Sequence, residues 1–146
     1  MQTNISTLQL KKIQTDFPNI KISNSKQSSD FIRQFYGDDI GIFESFYILL
    51  LNQSMTTIAY QKISQGGVSG TVVDVRLIAK YAVGCLASHV ILAHNHPGGT
   101  LKPSKQDLLI TKKTVDGLKL LDIHVLDHVI LTEDGYYSFA DNHKII

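Results

Sequence analysis

With Cys85 as its single cysteine, the 146-residue chain can form no internal disulfide. A chain of this length can bury a full core without covalent staples. Cys85 lies in the apolar stretch Tyr81 to Ala87 and reads as a small buried hydrophobe. Such cysteine usage fits a reducing compartment, and a cytoplasmic protein is expected. Long hydrophobic runs are also missing. Ile48 to Leu51 and Val90 to Ala93 are far too short to cross a bilayer, so no membrane association is expected. Residues 1–20 are polar and contain Asp16, without the apolar centre of a secretory signal. Nor is there an excess of one charge: 14 basic against 13 acidic residues leave +1. Phosphate binding needs clustered Lys and Arg, and the doublets Lys11-Lys12 and Lys112-Lys113 read as solvated surface. The charge therefore gives no support to nucleic-acid binding.

What is present is a pattern of alternating strands and helices without repeats or low-complexity tracts. Residues 1–27 are polar with scattered Ile and Leu and read as an N-terminal arm, leaving 28–146 as one domain. Ser28-Ser29-Asp30 offers caps for a short helix through Phe31, Ile32, Phe35 and Tyr36, ended by Gly37-Asp38-Asp39. Phe43 to Leu51 reads as a buried strand, Asn52-Gln53-Ser54 as a turn, and Thr57 to Ile63 as the returning strand of a hairpin. The segment Gln65 to Gly70 is the most glycine-rich loop. Asp74 can cap a helix through Leu77, Ile78, Tyr81, Ala82 and Leu86. His89 to Ala93 is a short, continuously apolar strand, as expected where both faces are covered. A longer helix opens at Pro103–Asp107, with Leu108, Thr111, Val115 and Leu118 along one face. Ile123 to Leu131 and Tyr136 to Phe139 are strands joined by Asp134-Gly135. The fold class is α/β, a mixed sheet flanked by helices.

The segment His94 to Asp107 carries the chemistry. His94 and His96 are two apart at a strand end, so both imidazoles fall on one side and can serve one ion. Pro97, Gly98 and Gly99 can turn the chain sharply. Ser104 is placed as the cap of the next helix, and Asp107 falls at its third position, where the helix terminus favours a carboxylate. Two histidines and one carboxylate form a catalytic zinc set with a fourth position left for water, although Fe²⁺, Co²⁺ or Mn²⁺ also suit such ligands. Glu44, a carboxylate inside an apolar run, is the candidate base. Each feature has a plainer reading. Histidines near strand ends are often structural, Ser-x-x-Asp is also an ordinary capping box, and Glu44 can face solvent. His89, His124, His128 and His143 justify no second metal site. His124 and His128 are expected on one strand face, and His128 reads as structural, with a place behind the site as its alternative.

Glu44, His94-x-His96-Pro97 and Ser104-x-x-Asp107 together resemble the JAMM motif of the JAB/MPN domain. Val90 to Gly99, Leu121 to Ile130 and Ser138-Phe139-Ala140 resemble more closely the bacterial RadC family. The likeness covers roughly residues 28–141. It implies a JAB/MPN, cytidine-deaminase-like architecture and one Zn²⁺ per chain held by His94, His96 and Asp107. It makes Glu44 and Ser104 catalytic, Glu44 as general acid/base and Ser104 as a hydroxyl donor, with Ser104's capping role competing. The function implied is a zinc-dependent metallopeptidase or isopeptidase acting on a peptide or isopeptide-linked protein. RadC proteins also carry a DNA-repair label, so the rival is a non-catalytic module of DNA metabolism. Residues 1–27 are too short for the helix-hairpin-helix segment that precedes this domain in full-length RadC proteins, which leaves the rival without its expected carrier. A metal-dependent nuclease is weaker still, since such sites commonly use two metals and more carboxylates. Exposed strand edges leave a homodimer open.

Overall fold

Ser45–Leu51 (β1) and His89–Asn95 (β3) are buried along their whole length, which places them at the centre of a sheet. In the computed structural model, which describes residues 1–67 and 70–145, the remaining strands are Thr57–Gln65 (β2), His124–Leu131 (β4) and Tyr136–Ser138 (β5). The five strands run in the order β2-β1-β3-β4-β5. Only the β3–β4 pair is parallel among them, because those two strands are joined by the crossover helix Lys105–Lys119 (α3) rather than by a hairpin. The other helices are Ser25–Arg33 (α1) and Val75–Gly84 (α2). The sheet is mixed and flanked by helices, as expected. No helix among the described residues is long and apolar enough to cross a membrane.

Strand alternation divides the core into two layers. Phe46, Ile48, Leu50, Val90 and Leu92 pack with Ile78 and Ala82 of α2 and Leu118 of α3. Leu49, Leu51, Ile91, Ala93, Val129 and Leu131 pack with Phe31 and Ile32 of α1 on the opposite face. Each fully buried aliphatic side chain contributes roughly 1.5–3 kcal/mol through removal from water.

Several expectations are corrected. Helix α1 is capped by Asn24, whose side chain accepts from the Gln27 amide, and not by Ser28-Ser29-Asp30. Ser28 and Ser29 are buried within the helix instead. The helix ends at Arg33, so Phe35 and Tyr36 sit in the following turn. There Phe35 stacks on Tyr60 at 3.9 Å. Packed structure also begins before residue 28. Phe17 sets its ring edge-to-face with Phe31, Phe35 and Tyr60, and Ile22 belongs to the core on the α1 side. On α3 the buried positions are Thr111, Thr114 and Leu118, with Leu108 40% exposed. Of the glycine-rich loop, Val68 and Ser69 lie outside the described residues.

Candidate metal centre

The same alternation that builds the core aims the site. His94 continues the series Val90, Leu92 and so faces α3, with His96 two further on. In β1, Phe46 pairs with His94, and extending that register sets Glu44 across from His96. Glu44 stands one residue before β1 rather than inside it. Its backbone is held on both sides, since its amide donates to the Gly67 carbonyl (3.1 Å) and its carbonyl accepts from the Gly66 amide (2.8 Å). Gly66 has to be glycine, because a Cβ there would collide with the Gly70 carbonyl. The turn after His96 closes through the Gly99 amide on the His96 carbonyl, with Gly99 at φ +87°.

Asp107 arrives from the first turn of α3 through the expected capping box. The Asp107 amide donates to Ser104 Oγ (3.0 Å), and the Ser104 amide donates to Asp107 Oδ2 (2.8 Å). Asp107 Oδ1 lies 3.2 Å from His94 Nε2, and Oδ2 lies 3.2 Å from His96 Nε2. The two Nε2 atoms are 2.9 Å apart, and Glu44 Oε1 is 3.8 Å from His94 Nε2. One ligand atom each from Glu44, His94 and His96 fits within 4.8 Å, so this cluster could hold a metal ion. His96 Nδ1 lies 2.6 Å from the Thr100 carbonyl, which can only accept. Nδ1 therefore carries the proton, and neutral His96 presents a bare Nε2. Ligands about 2.0–2.1 Å from a tetrahedral zinc stand about 3.3 Å from one another. The spacing of these nitrogens and oxygens, acceptors crowded on one point, fits that group.

The electrostatics agree. Burial raises the Glu44 carboxyl above the ordinary range, against the opposing pull of His94 and His96. Burial would raise Asp107 too, but hydrogen bonds with His94 and His96 outweigh it and hold this carboxyl far below the usual range. Burial works to lower His96, yet Asp107 and the Thr100 carbonyl prevail and raise it. The site opens into a cleft of about 560 Å³ lined in part by Glu44, Phe46, Val72, His96, Ser104 and Asp107.

All five predicted site residues thus come together. The sequence assigns no role to Asn95 and gives His128 a structural one, with a place behind the site as its alternative. Asn95, between the two histidines, points to the opposite face and is fully buried. Its Nδ2 donates to the Ile40 and Phe43 carbonyls (2.7 Å each), and its Oδ1 accepts from the Ser45 amide (2.8 Å). It thereby clamps both chain neighbours of Glu44. His128 places Nε2 2.7 Å from His94 Nδ1, and its Nδ1 is 2.6 Å from Thr111 Oγ1. Alternation alone would turn His128 away from the site. A β-bulge prevents this: Val90 pairs with Val125 but Ile91 with Asp127, leaving Leu126 as the extra residue. For the same reason His124 and His128 lie on opposite faces, contrary to expectation. Nothing in the sequence marks the bulge.

A mixed sheet with helices on both faces and a His-x-His pair beside an α-helical Asp is the arrangement of a JAB-type domain. Residues 22–144 match the family described as RadC-like JAB domain, and the chain belongs to it. It is 43% identical over 121 residues to a UPF0758 protein of Flavobacterium johnsoniae, covering 83% of this chain and 52% of that protein. It is 50% identical over 99 residues to a UPF0758 protein of Porphyromonas gingivalis, covering 67% and 44%. The UPF0758 protein YfjY of Escherichia coli is 43% identical over 99 residues, covering 68% and 62%. The chain spans about half the length of the first two of these relatives.

Proposed function

We propose that this domain is a zinc-dependent amide hydrolase, a metallopeptidase or isopeptidase. The observation that carries the reading is the convergence of His94 Nε2, His96 Nε2 and both Asp107 oxygens within 3.2 Å of a neighbour, with Glu44 at the rim. Asp107 is nearer the two nitrogens than Glu44 is, which supports His94, His96 and Asp107 as the holders of one Zn²⁺. When bound, zinc supplies a Lewis acid and a water of lowered pKa. Glu44 is left to move protons: it takes one from the attacking water and returns it to the leaving amine nitrogen. Its raised carboxyl suits both tasks. Ser104 Oγ accepts from the Asp107 amide, which leaves its own hydroxyl proton free to donate toward charge developing on the carbonyl oxygen. Capping and donation are therefore compatible roles for one hydroxyl.

The test is a cleavage screen of peptide and isopeptide-linked libraries with zinc-loaded protein, run beside Glu44→Gln. We expect about one zinc per chain in both, with hydrolysis in the wild type alone. Hydrolysis that survives in Glu44→Gln removes Glu44 as the base; protein that takes up no zinc ends the reading.

A further inference from the structure

The hydrogen bonds behind His94 form a chain whose direction can be read from chemistry alone. Thr111 Oγ1 has one proton and two partners, the Asp107 carbonyl oxygen at 2.6 Å and His128 Nδ1 at 2.6 Å. A carbonyl only accepts, so the hydroxyl proton goes to Asp107. Thr111 Oγ1 must then accept from His128 Nδ1–H. His128 is fully buried, with Phe139 stacked on its ring at 4.6 Å, and a neutral imidazole has a single N–H. Its Nε2 is therefore bare and accepts from His94 Nδ1–H at 2.7 Å. His94 is left with its own Nε2 bare, facing His96 and Asp107.

We propose that Thr111 and His128 are positioning residues that fix which nitrogen of His94 is available to a metal, an inference that rests on the metal-site reading above. The chain also ties the ligands together. Thr111 sits one turn after Asp107 on α3, His128 on β4 and His94 on β3, so a carboxylate and an imidazole facing one ion are set by one relay. Partners of this kind behind a metal-bound histidine commonly change metal affinity by about 10–100-fold when removed.

Thr111→Val keeps the side-chain shape and removes the acceptor. His128 then loses the partner of its Nδ1–H, and the relay can satisfy itself only in reverse, with His128 Nε2–H donating to His94 Nδ1. Imidazole ¹H–¹⁵N correlation spectra of metal-free protein, in mildly alkaline buffer, report which nitrogen carries the proton. Wild type and Thr111→Ser are expected to show His94 protonated at Nδ1, and Thr111→Val at Nε2. Titration with Zn²⁺ alone is expected to show about 10–100-fold weaker binding for Thr111→Val and near wild-type binding for Thr111→Ser. His94 protonated at Nε2 in the wild type overturns the proposal, as does unchanged protonation in Thr111→Val. A wild type with the expected protonation that binds no zinc refutes the metal-site reading while upholding the relay.

Discussion

Replacing Asn95 separates its clamp from the chemistry, because its side chain lies on the face of the sheet opposite the two histidines. Asn95→Ala removes three hydrogen bonds of 2.7–2.8 Å to the Ile40 and Phe43 carbonyls and the Ser45 amide. At about 1 kcal/mol each, the loss is about 3 kcal/mol. Melting should fall by roughly 6–12 °C for a domain of this size. Asn95→Asp is the sharper case. It is isosteric, and one oxygen can still accept from Ser45. The other oxygen, however, stands where Nδ2 now donates to two carbonyls, so an ionised carboxylate meets two acceptors in a buried site. At neutral pH Asp should therefore be less stable than Ala, although it is closer to Asn in shape. Such a carboxyl has a folded-state pKa raised above its unfolded value. Its stability contribution is present below the unfolded value and lost as pH rises through the folded one, so acidification should narrow the gap to Asn95→Ala. Urea unfolding of the three proteins at neutral and mildly acidic pH measures this. Asn95→Ala within about 0.5 kcal/mol of wild type, or Asp outlasting Ala at neutral pH, would refute the clamp.

Asp127 invites the opposite result. It is buried, accepting from the His128 and Ala140 amides and from Ser138 Oγ, and burial raises its carboxyl despite these donors. Asn can keep both amide bonds and donate to Ser138, so Asp127→Asn should cost under about 1 kcal/mol while Asp127→Ala costs about 3 or more. Because the raised group contributes stability below its unfolded value and loses it as pH rises, the Asn variant should gain on wild type between acid and neutral pH in urea unfolding. At the N-terminus, Phe17→Ala should lower stability by about 2–3 kcal/mol by emptying the aromatic cluster. Removing residues 1–8, where Ile5 and Leu8 are almost wholly exposed, should leave thermal melting unchanged.

Period-two alternation explains why so much of the centre could be read from the chain. His94 and His96 share a face because a strand repeats every two residues, and Ser104-x-x-Asp107 carries its own local geometry as a capping box. Glu44 is legible for the same reason: Phe46, Ile48 and Leu50 declare a face, and Glu44 extends it. What escaped depends on contacts distant in sequence. The bulge at Leu126 flips the facing of His128, and no local residue announces it. Asn24 displaces Ser28 as the α1 cap because tertiary packing draws Ser28 and Ser29 inward. Phe17 reads as part of a polar arm until Phe31 and Phe35, from α1 and the turn after it, and Tyr60 from β2 are brought to it.

These particulars explain why the site forms where it does. β3 and β4 are parallel, so the chain must leave β3 at its C-terminal end and return through α3. That crossover brings the first turn of α3, with its unpaired amides and positive dipole end, back over the last residues of β3. A carboxylate in that turn and imidazoles at that strand end are then neighbours by topology, and β1, running antiparallel beside β3, delivers Glu44 from its start to the same edge. Asn95 and His128 lock the two approaches, one from beneath the sheet and one from the next strand. Asn95 thus holds the Glu44 segment from the face opposite the cleft, and His128 holds His94 from behind its ring on the cleft side.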